Sequence, residues 1–350
     1  MKAWVLHGIG DIQFEEVKEP RPAEGEVIVK VKSAGICGSD IPRIYQTGTY
    51  HFPTIPGHEF SGMVADVGIG VKPEWKNKRV GVFPLIPCRE CASCKKAQYE
   101  MCGSYGYLGS RQDGGFAEYV AVPEWNLIEL PESVSFVEAA MMEPMSVAVH
   151  AMRRAQPDKD SVCVICGLGT IGMLLLAFLK DAGVQNIFVI CNKDFQRRTA
   201  AKFGLQPECC CDSRTENVSE WIMEHTQNRG ADLFFECVGK NETVSQAVSW
   251  TAPAGKVIFV GNPASDMVFQ KAVYWKILRN QLTVLGTWNS SFTHSMEDDW
   301  HYMMERLQNR RICPEELVTH RFPLERLSDG LNLMRNKTEE SGKVIIVWKR

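Results

Sequence analysis

The sequence predicts an α/β protein of two domains, one rich in β-strands and one built on a doubly wound parallel sheet. The chain has 350 residues, which is more than one ordinary core accommodates. Residues 1 to about 148 combine period-two alternation with frequent glycine and proline, whereas apolar strands and helical segments alternate from Ser161 onward. A disordered or low-complexity chain is excluded, since 45% of the residues are hydrophobic and 23% are charged.

The β-rich half contains one clear half-buried strand at residues 26–33, EVIVKVKS, where apolar and polar residues alternate. Glycines and prolines then punctuate residues 35–70. Near residue 139 the composition shifts to AAMMEPMSVAVHAM, which favours a helix. The chain therefore changes architecture close to residue 148.

The second half alternates strands with helices, and a last strand comes after them. The expected strands are VCVIC (162–166), NIFVIC (186–191), ADLFFECVG (231–239), GKVIFVG (255–261), 282–288 and 343–348, and the expected helices cover 170–182, 197–203, 242–250 and 297–309. We expect the last strand to return to the first domain. The predicted domains are residues 1–148, completed by 289–350, and residues 149–288.

The net charge and the N-terminal residues indicate which partners and which cellular location to expect. The formal net charge is −3, so nucleic acid is not an expected partner. The longest uncharged run, Ser161–Leu179, could span a bilayer by length alone, but a buried strand followed by a buried helix explains it better. Acidic residues at positions 11, 15 and 16 argue against a signal peptide. We expect a cytoplasmic protein without membrane contact.

A G-x-G-x-x-G string directly follows the strand VCVIC and opens a helix. It consists of Gly167, Gly169 and Gly172, with Thr170 and Ile171 between the last two glycines. Glycines here permit a tight turn, close approach of a pyrophosphate, and tight packing of helix on strand. The helix N-terminus offers free N–H groups to phosphate. The string predicts a Rossmann dinucleotide-binding domain, and a glycine turn without a ligand is the alternative.

The end of the second strand bears on which nicotinamide coenzyme binds. NAD sites usually place an acid there, but this chain has Asn192 and Lys193, and then Arg197 and Arg198. These cations favour NADP over NAD. In the alternative, Asp194 reaches the ribose hydroxyls and the arginines face solvent.

Four of the thirteen cysteines lie in one short segment. They are Cys88, Cys91, Cys94 and Cys102. Four thiolates at such spacing close a tetrahedral zinc site that has no position for water, which is a structural site. An iron–sulfur cluster or four free thiols are the alternatives.

A second metal site would draw on residues far apart in the sequence. Cys37, His58 and Glu143 together offer a thiolate, an imidazole and a carboxylate, the three ligands of an open catalytic zinc site. Each also has an ordinary explanation, as a buried cysteine, a loop histidine and a helix N-terminal acid.

With these motifs the chain resembles the zinc-dependent medium-chain alcohol and polyol dehydrogenases over nearly all of its length. A glutamate in an E-P pair as a zinc-site residue resembles the pattern of the sorbitol dehydrogenase branch. Further strings resemble the sugar-phosphate members of that branch. The strings that carry the resemblance are GICGSD, GHEFSG, the four-cysteine loop, DGGFAEY, MEPMSVAVHA and GLGTIG, with GSDIPRIYQTG, PLIPCRECASC and KILRNQLTVLGTW for the branch. The resemblance implies a GroES-like catalytic domain formed by both chain ends, with a Rossmann domain between them.

The resemblance also implies roles for residues around the catalytic zinc. Its ligands would be Cys37, His58 and Glu143, while Glu59 ligates directly in some members and lies just outside the ligand set in others. The four loop cysteines would hold a second, structural zinc, which makes two zinc ions per chain.

Further residues would handle the proton and the substrate. Ser39 would contact the substrate oxygen and begin the proton relay, and Asp40 would lie beside the zinc. Pro42 stands where many members have a relay histidine, which leaves water or His51 as the route. A phosphorylated substrate needs a cation, and Arg43 is one candidate. The other candidate is Arg111.

The expected reaction is hydride transfer between a secondary alcohol of a polyol or polyol phosphate and NAD(P), by a homodimer or homotetramer. A sorbitol- or threonine-type oxidation is one alternative. A non-enzymatic zinc and thiol redox sensor is another, which Cys163, Cys166 and the run Cys209–Cys211 suggest.

Overall fold

The computed structural model describes residues 1–263 and 265–348, so Ala264, Lys349 and Arg350, which fall within the predicted domains, lie outside the described residues. Over the described residues the chain divides into two compact units. One comprises Met1–Pro144 and the chain from Ser291 onward, and the other comprises Met145–Ser290. The first is β-rich and the second contains a parallel sheet, so the predicted α/β fold class is confirmed.

The regular elements are numbered in chain order. The strands are β1 Lys2–Gly8, β2 Asp11–Glu16, β3 Glu26–Ile36, β4 Glu59–Val67, β5 Arg79–Val82, β6 Leu85–Ile86, β7 Gly106–Tyr107, β8 Tyr119–Pro123, β9 Leu127–Glu129, β10 Val162–Cys166, β11 Asn186–Cys191, β12 Cys210–Asp212, β13 Ala231–Glu236, β14 Thr251–Phe259, β15 Thr283–Gly286, β16 Val318–Pro323 and β17 Lys343–Val347. The helices are α1 Asp40–Pro42, α2 Phe136–Ala139, α3 Met142–Ala155, α4 Thr170–Asp181, α5 Asp194–Lys202, α6 Val218–His225, α7 Asn241–Trp250, α8 Lys271–Arg279, α9 Asp299–Gln308 and α10 Leu327–Asn336. Among the described residues, no helix has both the length and the apolar character needed to cross a membrane.

The β-rich unit is organised around β3. Its main sheet has the order β16–β17–β3–β4–β5–β9, and β8 also pairs with β3. Apolar side chains of β3 such as Val27, Val29 and Val31 are fully buried and form one core with Leu327 and Leu331 of α10. The C-terminal strand β17 lies antiparallel to β3, so residues from both ends of the chain build this unit.

The second unit has a six-stranded parallel sheet in the order β12–β11–β10–β13–β14–β15. The chain steps outward from β10 in one direction and later in the other, as in a doubly wound dinucleotide-binding fold. All side chains of α4 from Gly172 to Leu179 are buried. The long uncharged run of the sequence is therefore a buried strand and a buried helix.

The turn between β10 and α4 depends on its glycines. Gly167 has φ +95°, a conformation that L side chains rarely adopt. A Cβ on Gly172 would overlap the carbonyl oxygen of Gly167, whereas a Cβ on Gly169 would meet nothing within 4 Å. The first and third glycines thus have steric reasons to be glycine, and the second leaves open space at the start of the helix.

We expect Gly172→Ala to lower the melting temperature, because the added methyl group forces the helix away from the strand. Overpacking of this kind costs roughly 1–3 kcal/mol, so a fall of at least about 3 °C is expected in differential scanning calorimetry. Gly169→Ala is the matched control and keeps the wild-type melting temperature. Equal melting temperatures for the two variants would contradict the steric argument.

Candidate metal centre and coenzyme site

Strand pairing brings together three side chains of types that can ligate a metal, all in the β-rich unit. Gly35 of β3 pairs with Glu59 of β4, so Cys37, just after β3, lies close to His58, just before β4. One donor atom from each of Cys37, His58 and Glu59 lies within 4.8 Å of the other two. A thiolate, an imidazole and a carboxylate are a donor set that suits zinc.

Asp40 holds this cluster in place from inside the protein. Its carboxylate accepts hydrogen bonds from the Cys37 N–H at 2.9 Å and from Arg43 at 2.7 Å, and it lies 3.3 Å from His58 Nδ1. Because Nδ1 faces Asp40, Nε2 is the ring nitrogen left for a metal. Ser39 Oγ donates to Cys37 Sγ at 3.2 Å, so the expected relay hydroxyl lies beside the cluster.

Neighbouring charges shift the pKa values of both Asp40 and His58. Burial alone would raise the pKa of Asp40, but His58 and Arg43 outweigh it and lower the pKa to about 2. Burial opposes a charged His58, yet Asp40 and Cys37 raise its pKa well above the usual value. Surroundings that favour a proton on His58 in this way also favour a metal cation.

Glu143 lies near the cluster but outside the three-residue set. It is partly buried in the first turn of α3, and Tyr107 Oη donates a hydrogen bond to its Oε1 at 3.1 Å. The Tyr107 ring centroid is 5.8 Å from that of His58. Burial and the nearby Glu59 raise the pKa of Glu143. Tyr107 thus connects Glu143 to the cluster, a role that no sequence motif indicated.

Lys343 compensates the charge of Glu59. Its ammonium pairs with Glu59 Oε2 and donates to the Ile36 carbonyl at 3.1 Å, and both side chains are almost fully buried. A Cβ on Gly35 would overlap both side chains, so that position must be small. Burial opposes the charged ammonium, but Glu59 and Cys37 raise the pKa of Lys343. Its only sequence signal is a lysine at the start of the apolar strand KVIIV.

Removing this cation should destabilise the protein strongly. We expect Lys343→Met to lower the free energy of unfolding by about 3–5 kcal/mol, because it leaves the Glu59 carboxylate buried without a partner. The double variant Lys343→Met, Glu59→Gln should recover most of the loss. Urea denaturation measures both.

Lys256→Met is the control for this prediction, since Lys256 Nζ donates to a backbone carbonyl, that of Ala155, at 2.7 Å. A hydrogen bond made by a charged group is worth roughly 1.5–3 kcal/mol, so Lys256→Met should lose less stability than Lys343→Met. A double variant no more stable than Lys343→Met would show that the buried charge is not the cause.

The four-cysteine loop forms a second cluster in the same unit. The sulfurs of Cys88, Cys91, Cys94 and Cys102 all lie within 4.8 Å of one another. Cys88 and Cys94 are 3.9 Å apart, close to the roughly 3.8 Å edge of a zinc–sulfur tetrahedron. Backbone N–H groups lower the pKa of Cys91 to about 6, whereas burial and the neighbouring sulfurs raise the pKa of Cys94 to about 12. The sulfurs fit a closed metal site.

The predicted coenzyme residues lie at one edge of the parallel sheet in the second unit. Gly167, Gly169, Thr170, Ile171 and Gly172 form the turn after β10 and the first turn of α4. Asn192 and Lys193 follow the neighbouring strand β11, and Lys193 precedes α5. The carboxyl ends of adjacent parallel strands are where such folds bind dinucleotides.

A charged cluster surrounds the end of β11. Arg197 donates to Asp194 and to Asp212, each at 2.7 Å, and Arg214 donates to the same two carboxylates at 2.5 and 2.7 Å. Hydrogen bonds and charge from Arg214 lower the pKa of Asp194. Asp194 is therefore already engaged by two arginines. Sequence analysis missed Arg214 because it follows a strand, β12, that carried no clear pattern.

The two candidate phosphate-binding arginines lie in different surroundings. Arg43 is committed to Asp40. Arg111 lies between two aromatic rings, 4.1 Å from the Tyr50 centroid and 4.3 Å from that of Tyr105. It donates to the Tyr105 carbonyl and the Tyr50 hydroxyl, each at 3.0 Å. Within the described residues, its buried Nε has no hydrogen-bond partner, so Arg111 retains one unsatisfied donor.

Comparison with known proteins identifies the family. Residues 23–132 match the alcohol dehydrogenase GroES-like domain, and residues 170–309 match the zinc-binding dehydrogenase domain. Galactitol 1-phosphate 5-dehydrogenase from Escherichia coli K12 is 33% identical over 330 residues, which cover 93% of each chain. The chain belongs to the zinc-binding alcohol dehydrogenases. Sorbitol dehydrogenase from Bacillus subtilis is 29% identical over 356 residues, 100% of this chain and 98% of the relative.

Solved structures of dehydrogenases share the fold. The crystal structure of galactitol-1-phosphate dehydrogenase from Escherichia coli superposes with TM-score 0.91 at 33% identity, covering 99% of this chain and 100% of the other. Two further structures superpose with TM-score 0.90 at 26% identity over 99% of this chain. One is a short chain alcohol dehydrogenase (rspB) from E. coli CFT073, determined with NADH, and the match covers 99% of that chain. The other is a putative zinc-binding dehydrogenase from Sinorhizobium meliloti, determined with NADP, and the match covers 98% of that chain.

These findings confirm the resemblance inferred from the sequence motifs. The zinc-binding dehydrogenase is an oxidoreductase with a GroES-like domain and a Rossmann domain. Its relatives act on polyols and related secondary alcohols, as their names state.

Proposed function

We propose that this dehydrogenase transfers a hydride between a secondary alcohol of a polyol phosphate, of the galactitol 1-phosphate type, and a nicotinamide coenzyme. The observation that carries the proposal is the convergence of Cys37, His58 and Glu59 within 4.8 Å in a chain whose second unit has a glycine turn at the end of β10. A metal site and a dinucleotide site in one chain are the two requirements of this chemistry.

We propose that Cys37, His58 and Glu143 hold the catalytic zinc, with Glu59 beside them. Glu59 forms an ion pair with Lys343, whereas Glu143 accepts a hydrogen bond from the uncharged hydroxyl of Tyr107. When bound, zinc supplies the Lewis acidity that eases deprotonation of an alcohol hydroxyl, and the nicotinamide ring takes up the hydride.

The neighbouring side chains position the proton chemistry. Ser39 is partly exposed, and its Oγ donates a hydrogen bond to Cys37 Sγ. This hydroxyl can take the proton of the substrate hydroxyl and pass it outward. Asp40 fixes the His58 ring through Nδ1 and is itself neutralised by Arg43. His51 lies within hydrogen-bond distance of the Arg111 carbonyl and offers, with water, a route for the proton.

The four-cysteine loop holds the structural zinc in this proposal, which makes two zinc ions per chain. Such a site contributes folding energy and no chemistry. The reduced thiols that both sites need suit the cytoplasm, the location we propose.

We propose that the coenzyme site accepts both nicotinamide coenzymes with a preference for NADP. Lys193, Arg197 and Arg214 lie around the end of β11, where the 2′-phosphate would lie. Asp194, the acid that could bind the ribose hydroxyls of NAD, has its charge compensated by both arginines.

For the substrate phosphate we favour Arg111 over Arg43. Arg111 is partly exposed and its guanidinium is held between two tyrosine rings, and a planar guanidinium in a fixed position suits a phosphate. Arg43 already neutralises Asp40 and makes a weaker candidate.

We propose a homodimer or homotetramer. Apolar side chains lie exposed on α8 and near the edge strand β15, including Leu278, Val284 and Trp288. A second copy that covers them would remove an exposed apolar edge from water. Light scattering on the purified protein should give a mass of two or four chains, and a monomer at micromolar concentration would contradict this.

Activity assays with paired substrates test the reaction. We expect kcat/KM to be higher for galactitol 1-phosphate than for galactitol, sorbitol or threonine, and higher with NADP than with NAD. Arg111→Ala should lower kcat/KM for the phosphorylated polyol at least about tenfold, since it removes a charged hydrogen-bond donor. The same variant should change kcat/KM for free galactitol little. An equal loss on both substrates would exclude Arg111 from phosphate binding.

Metal analysis tests the two zinc sites separately. We expect Cys37→Ser to lose one of two zinc ions and to lower turnover at least about 100-fold, because the thiolate ligand is gone. Cys94→Ala should lose the other zinc and lower the melting temperature. Cys313→Ser, at an exposed cysteine, is the control and should retain both ions. Full turnover of Cys37→Ser with one zinc fewer would overturn the proposed function.

A further inference from the structure

Two cysteines that belong to neither metal cluster lie side by side at the edge of the parallel sheet. Cys191 is the last residue of β11 and Cys210 is the first residue of β12, and their sulfurs are 3.2 Å apart. In the register Cys210 pairs with Val189 and Cys191 with Asp212, so the two cysteines are diagonal neighbours on one face.

The two thiols have unequal environments. The hydrogen bond from Cys210 and the charge of Arg197 lower the pKa of Cys191, while the same bond and burial raise the pKa of Cys210. Cys191 is buried and Cys210 is partly exposed, so a small reagent would approach the pair from the Cys210 side. The arrangement provides the Cys191 sulfur as a nucleophile and the Cys210 sulfur as its partner in a disulfide.

The sheet edge can yield to let the sulfurs bond. A disulfide needs an S–S distance of about 2.05 Å, so the two sulfurs must approach by roughly 1 Å. β12 has only three residues and is an edge strand of the sheet. It follows a short turn at Pro207–Cys209. An edge strand pairs on one side only, so it can shift without breaking a second ladder, and a disulfide that departs from ideal geometry is more easily reduced.

We propose that Cys191 and Cys210 are a reversible oxidation site, which a peroxide closes to a disulfide and which thereby weakens coenzyme binding. The Cys191 thiolate attacks one peroxide oxygen of hydrogen peroxide, the O–O bond breaks, and hydroxide leaves to take up a proton as water. The Cys210 sulfur then attacks the resulting sulfenic acid, the S–S bond forms, and a second water carries away the oxygen with the thiol proton. Two thiols are oxidised and one peroxide is reduced to two waters.

The residues directly after each cysteine connect the pair to the coenzyme site. Asn192 and Lys193 continue from Cys191, and Asp212 and Arg214 come two and four residues after Cys210. The Ser213 N–H donates to the Cys191 carbonyl at 2.9 Å, which ties the two strand ends together. A shift of β12 toward β11 therefore displaces the cluster at the proposed ribose site, a coupling that rests on the proposed function.

Peptide mapping tests the bond itself. The zinc-loaded protein is treated with a few equivalents of hydrogen peroxide, blocked with N-ethylmaleimide and digested with trypsin without reduction. We expect peptide 181–193, which holds Cys191, joined to peptide 203–214. Because the second peptide contains three cysteines, Cys210→Ala should abolish the link, and the neighbouring Cys209→Ala is the matched control that retains it. Absence of the link in the wild type overturns the proposal.

Coenzyme titration tests the consequence. We expect the Kd for NADPH and NADH to rise about tenfold on oxidation and to return with dithiothreitol, in the wild type and in Cys209→Ala. Cys210→Ala should keep its Kd under peroxide, which separates this pair from oxidation of the zinc cysteines. A linked protein with unchanged Kd overturns the proposal. If the reduced wild type binds neither coenzyme, the proposed function fails, and the mass spectrum still reports on the disulfide.

Discussion

Buried negative charge around His58 must be balanced before the β-rich unit can close over it. Each unpaired buried charge would cost several kcal/mol. Arg43 compensates one carboxylate and Lys343 compensates another. Two acidic groups then remain, the thiol of Cys37 and the carboxyl of Glu143, and both are of types that ligate zinc in the deprotonated form. The four acidic groups are Cys37, Asp40, Glu59 and Glu143.

This balance depends on sheet topology, because the compensating lysine comes from the far end of the chain. Lys343 is 284 residues from Glu59 and 307 from Ile36. Pairing of β17 with β3 brings it to the cluster. A disturbance of the C-terminal strand would thus reach the metal centre through the electrostatics of Glu59, although Lys343 is no ligand. Fold stability and site chemistry are coupled at this one ion pair.

Sequence patterns predicted the parts of the site that are local in the chain. The glycine turn and the four-cysteine loop each occupy fewer than twenty residues, so spacing alone indicates their geometry. Lys343, Tyr107 and the Cys191–Cys210 pair escaped prediction because strand order and register create their contacts. Motifs did place Glu143 near the centre, but only coordinates could show that Glu59 lies closer to the other two donors.

The two polar clusters of this dehydrogenase differ in how they tolerate change. Around His58 the charges are buried, so losing one partner is costly. At the end of β11 the arginines are more than 40% exposed and Asp194 is 53% exposed, where an ion pair is worth at most about 1 kcal/mol. Both arginines also pair with the buried Asp212, so a phosphate that displaced Asp194 would leave them anchored. If the coenzyme binds as proposed, its ribose would therefore meet a solvent-screened cluster that movements of β12 can shift, whereas the charges around His58 are held in place by the fold.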